Sequence, residues 1–231
     1  MNQTFSNKEI VKKSWGIVKS NLKIFIPILI IVWLLQIGLS SIQTISDNTI
    51  ITLLLSAISW IINTLITIGL ISTFLKFANG EIFNFKSVLD KKDKFIPYVI
   101  GTIYYSLIVF AGIILLIIPG IIWAIRYQFY SYLIIDKGMS PKEALAKSKE
   151  MTKGKTLKLL GFGIVLFLIN ILGLLALVVG LFISIPVSML AIALVYKKLF
   201  GEDVTPEFTS PTPTQNPVSN NNMWATYRQN S

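Results

Sequence analysis

The chain contains neither cysteine nor histidine. Disulfides, thiol chemistry, haem ligation and most zinc sites are excluded with them. Charge is scarce as well: 14% of the 231 residues are charged, where soluble domains carry roughly 25%. Arginine occurs only as Arg126 and Arg228. There is no carboxylate pair at catalytic spacing, no Ser-His or Cys-His set and no phosphate-cradling loop. A non-catalytic protein that needs no cofactor or metal is therefore expected.

What fills the chain instead is apolar length, with 53% hydrophobic residues. Uncharged runs cover 24–46, 48–75, 95–125 and 159–196. A helix needs about 20 apolar residues to cross a bilayer. One such run could be a buried core helix, but several together read as a membrane protein. The first run, following Lys23, exceeds the ~7–15 residues of a signal peptide's apolar region, and no A-x-A site follows it. It reads as a permanent span.

Basic residues divide the chain into segments. One group, Lys8 to Lys23, precedes the first run. A second lies between Lys76 and Lys94, a third runs from Lys137 to Lys158, and Lys197 and Lys198 follow the last run. The intervening connections, QTISDN, LIIPG and a turn near Gly173 to Gly180, carry no Lys or Arg. By the positive-inside rule this alternation gives six spans with both termini in the cytoplasm. The spans fall at about 24–45, 50–75, 95–116, 119–136, 158–176 and 179–197. A five-span form, with one long helix over the last pair, would put the C-terminus outside, against Lys197 and Lys198. The fourth span is the shortest, and a re-entrant helix is its alternative. Residues 1–200 thus form an all-α polytopic membrane domain in the cell membrane. Residues 201–231, rich in Pro, Ser, Thr and Asn, read as a disordered cytoplasmic tail.

The charged segment 139–158 nearly repeats one near the N-terminus. Ser6 pairs with Ser140, Lys8 with Lys142, Glu9 with Glu143, Lys13 with Lys147, Ser14 with Ser148 and Lys19 with Lys153. Both copies open with S-x-x-E, the capping-box pattern of a helix start. At 100° per residue, Ala144, Leu145, Ser148, Met151 and Thr152 share one face, opposite Lys142, Lys149 and Lys153. In the first copy Ile10, Val11, Ser14, Ile17 and Val18 share a face, with Trp15 at its edge. Each copy reads as an amphipathic entry helix on the cytoplasmic surface, at about 6–20 and 140–153, leading into a transmembrane hairpin. FIP at 95–97 echoes FIP at 25–27, so three hairpins related by parallel duplication are expected.

Lys8, Lys12, Lys19, Lys142, Lys149 and Lys153 are the candidate contacts for anionic lipid headgroups. The same faces suit a protein partner or a homo-oligomer. Nucleic acid is not expected despite the formal charge of +10, because topology accounts for the lysines. Arg126, with Tyr127, Gln128 and Tyr130 nearby, is the candidate substrate or lipid contact; a structural arginine bonding backbone carbonyls is its competitor. Gln36, Asn63 and Asn170 read as polar glue between helices, and Gly69, Gly101, Gly161, Gly163 and Ser188 as close-packing positions. Apart from Asp136 at a boundary, no Asp or Glu lies in a span, so a carboxylate relay has no support.

The stretch IIPGIIWAIRYQFYSYLIIDKGMSPKEALAKSKEMTKGKTLKLLG resembles the membrane domain of some glycerophosphoryl diester phosphodiesterases. The shared pattern falls here on Pro119-Gly120, Arg126, Asp136 and Gly138, Glu143 to Ser148, and Lys153-Gly154. Pro186 and Tyr196 resemble the family's last span. The resemblance implies a multi-spanning membrane domain. The catalytic barrel and its acidic and histidine residues are absent, so phosphodiesterase activity is not carried over.

Overall fold

A computed structural model describes residues 5–43, 48–81, 92–176 and 180–202. Among them the chain is all-helical. The helices are α1 (Asn7–Ser20), α2 (Leu22–Gln43), α3 (Thr49–Ala78), α4 (Phe95–Leu115), α5 (Ile117–Tyr127), α6 (Tyr130–Lys137), α7 (Pro141–Met151), α8 (Thr156–Leu175) and α9 (Leu181–Phe200). A 3-10 turn, Lys92–Lys94, leads into α4. Of these, α2, α3, α4, α8 and α9 are long and apolar enough to cross a membrane. The run over 159–196 is two helices and not one.

The core lies at one end of the bundle. α9 is central to it, packing on α1, α2, α3 and α8. Buried side chains cluster on α9, on the second half of α3 from Ile68 to Ala78, on α6 and on the inner faces of α1 and α7. At this end Phe25 of α2 stacks on Phe74 of α3 with ring centres 5.5 Å apart, and lies 4.5 Å from Phe77. The opposite end is apolar and uncovered. Ile114 to Ile118 are each 68–71% exposed, as is Ile50 at 70%. A soluble fold rarely leaves so large an apolar surface open without a partner or a bilayer against it.

Close approach or polar glue joins α2 to α3, α4 to α5 and α8 to α9. Gln36 donates to Asn63 between α2 and α3. Asn170 of α8 donates to Ser188 at 2.8 Å and accepts from Ser184 at 3.0 Å, both on α9. Between α4 and α5 the contact is glycine on glycine, Gly112 against Gly120, with Leu116 as a single extended residue at the turn. Gly101 is covered by Tyr130 and Ile134, whereas Gly161 and Gly163 face open space. Those last two are therefore not close-packing positions within the chain.

The expected fourth span, 119–136, is not one long helix. α5 has 11 residues and α6 has 8, so even α5 reaches only about 16 Å at 1.5 Å per residue. The chain breaks at Gln128 and Phe129, and α6 then runs through the core, buried from Tyr130 to Ile135. α6 ends on Gly138, whose φ of +65° suits the left-handed cap. Gly201 and Glu202, which the sequence reading assigns to the tail, close α9 instead. The rest of the expected tail, with Trp224 and Tyr227, lies outside the described residues, as do most of QTISDN and Lys86 and Lys91.

Candidate functional site: the basic end of the bundle

The two repeated segments form α1 and α7 with the same register. α7 buries Ala144, Leu145, Ser148, Met151 and Thr152. α1 buries Ile10, Ser14, Ile17 and Val18, with Val11 partly covered. Lys8, Lys12, Lys19, Lys142, Lys149 and Lys153 are all exposed. The copies differ at their starts. The Ser140 N–H and hydroxyl both donate to Glu143, at 3.0 and 2.7 Å, closing the capping box. These bonds hold the Glu143 carboxyl below its ordinary value. Ser6 makes no such side-chain bond.

The inner face of α7 explains the break between α5 and α6. A broken helix leaves carbonyls and N–H groups without partners, and burial makes each costly. Ser148 and Thr152 donate their hydroxyls to the Arg126 carbonyl at 2.9 and 3.0 Å. The Ser148 oxygen also accepts from the Phe129 N–H at 3.2 Å. One serine thus serves both sides of the break. An unpaired N–H there would cost about 1–3 kcal/mol.

The four candidates around Arg126 do not converge on one cavity. Arg126 is half-buried, and its Nε is enclosed without a hydrogen-bond partner. Tyr127 lines a groove beneath α7. Gln128 donates back to the Ile125 carbonyl at 3.0 Å. Tyr130 is buried, lies 2.9 Å from Thr102 Oγ1, and stacks on Tyr105 with centres 5.0 Å apart.

The densest charge cluster among the described residues is elsewhere, and sequence reasoning treats its lysines as topology markers. Lys197 is buried on α9, with a side chain 4% exposed. Its ammonium donates to Asp136 at 3.1 and 3.3 Å and reaches Glu202 at 2.6 Å. Tyr196, fully buried, donates its hydroxyl to Asp136 at 2.9 Å. Lys137 joins Asp136 at 3.2 Å and also pairs with Glu202. Burial opposes ionisation of Glu202, but the two lysines outweigh it and hold the carboxyl below its ordinary value. Asp136 and Tyr196, both positions of the pattern quoted above, bond each other in this cluster, and Ser148 of the same pattern braces the helix break.

Chemically, this end of the molecule offers exposed ammonium groups, apolar grooves and a self-neutralised ion cluster. Among the described residues no group of three or more acidic side chains is placed to hold a metal. The described residues thus define an all-helical protein, and five of their helices are long and apolar enough to cross a membrane. No family model, curated protein or solved structure matches it.

Proposed function

We propose that the chain is a non-catalytic integral protein of the cell membrane that organises anionic lipid, or a complex assembled on it, at its cytoplasmic face. One observation carries this reading: both copies of the basic entry helix bury the same register and turn their lysines outward, at the end of the bundle where the core lies. Six membrane segments in three hairpins, with both termini in the cytoplasm, fit the Lys distribution. In that arrangement α5 and α6 together form the fourth segment, broken at Phe129. The resemblance to the membrane domain of glycerophosphoryl diester phosphodiesterases supports a membrane module without its barrel.

The competing reading is a transporter or channel component working through Arg126, whose enclosed Nε lacks a partner. Purified protein in liposomes separates the two. Solute or lipid flux is expected to match protein-free vesicles, with and without Arg126→Ala. Flux that the wild type supports and Arg126→Ala abolishes would sink the organising role.

A further inference from the structure

The two entry helices each roof an apolar groove, and they do so with equivalent residues. α7 contributes Lys142, Leu145, Ala146 and Lys149 to a groove of about 430 Å³, whose walls are Leu107, Ile108 and Tyr127. α1 contributes Lys8, Val11, Lys12 and Trp15 to a groove of about 590 Å³, whose walls are Val165, Ile169 and Val187. The repeat alignment pairs Lys8 with Lys142, Val11 with Leu145, Lys12 with Ala146, and Trp15 with Lys149. The same four positions of each copy therefore face a groove. Both volumes fall in the ~300–1,000 Å³ range of ligand clefts.

Each groove joins an apolar floor to two exposed lysines on one helical stripe, at i and i+4 in α1 and i and i+7 in α7. Lys8 and Lys142 lie in the first turns of their helices, where the helix dipole also favours an anion. An occupant must supply a chain for the floor and an anion for the lysines.

We propose that each groove binds one anionic glycerophospholipid, with an acyl chain along the apolar floor and the phosphate between the two lysines. Phosphatidylglycerol, whose net charge is negative, fits the lysine pairs; zwitterionic phosphatidylcholine does not. The proposal rests on the lipid-organising reading and adds to it two defined sites per chain, built by duplication. Lipid held this way fastens each entry helix to the hairpin beneath it, α1 to α8 and α9, and α7 to α4 and α5.

Native mass spectrometry of the full chain, delipidated in detergent and titrated with phosphatidylglycerol or phosphatidylcholine, tests this. Two retained phosphatidylglycerols per chain are expected, and no retained phosphatidylcholine. Lys8→Gln with Lys12→Gln should reduce the count from two to one, as should Lys142→Gln with Lys149→Gln. Ala146→Trp, which fills a groove without changing charge, should also leave one. These positions are exposed, and unchanged helical circular dichroism verifies folding in each variant. Equal retention of the two lipids, a count unmoved by the variants, or a peptide retained in place of lipid would overturn the proposal. The flux assay reads transport and not bound lipid, so failure of the broader reading registers separately.

Discussion

Asp136→Ala is expected to destabilise the detergent-solubilised protein by about 3 kcal/mol, the low end of the ~3–5 kcal/mol for breaking a buried ion pair. Its carboxylate, 13% exposed, accepts from Lys197, itself 4% exposed, and from the buried Tyr196 hydroxyl. Removing it leaves an ammonium and a phenol without their principal acceptor. Glu202 remains near Lys197, which keeps the loss at the low end. Lys197→Met should cost a similar amount, because it leaves Asp136 with Lys137 alone among its cations. The double variant Asp136→Ala, Lys197→Met should cost less than the sum of the singles by about 1 kcal/mol or more, since residues of one network are not additive. Acid tests the same network. Glu202 has a folded-state value below its ordinary 4.5, so its contribution is present above 4.5 and is lost as pH falls through the lowered value. Thermal melts from pH 7 downward should show no change in this contribution until that window. Strict additivity of the two substitutions, measured by melting in one detergent, would remove the network from the account.

Gly112→Ala is the second large effect, and its sign is opposite to that of a control. A Cβ at Gly112 would stand 2.9 Å from the Gly120 Cα and 3.1 Å from its nitrogen. Both are backbone atoms, so no rotamer change relieves the overlap and α5 must move away from α4. Overpacking of this kind costs about 1–3 kcal/mol, and the displacement also pulls the braced Arg126 carbonyl off Ser148 and Thr152. At Gly161 an added Cβ meets nothing within 4 Å. Gly161→Ala should then stabilise α8 by roughly 0.5–1 kcal/mol through helix propensity. Melting temperatures of the two variants should move in opposite directions. A shift of the same sign in both would show that α4 and α5 do not meet at Gly112 and Gly120.

The sequence carries some of this plainly and hides the rest for a physical reason. Uncharged runs and 3.6-residue periodicity are local, so the all-helical class was legible, as were the inner faces of α1 and α7. The break at Phe129 was not. The apolar run from Ile117 to Ile135 continues across it with Arg126, Gln128 and Ser131 as scattered polar interruptions, and its partners Ser148 and Thr152 lie on another helix. Lys197 shows the same limit. As a sequence signal it is one positive charge after a span, whereas its burial depends on Asp136, sixty-one positions away. Glycines were readable as a class but not individually: Gly101 is packed, Gly161 is open, and nothing in their local sequence separates them.

The orientation of the bundle in a membrane is the central claim, and the chain's lack of cysteine makes it directly measurable. Single cysteines placed as Thr49→Cys, Lys149→Cys and Ser231→Cys are labelled with a membrane-impermeant maleimide in intact and in permeabilised cells. Thr49→Cys should label in intact cells, while Lys149→Cys and Ser231→Cys should label only after permeabilisation. Labelling of Ser231→Cys in intact cells would give an odd number of membrane crossings and contradict the six-segment account.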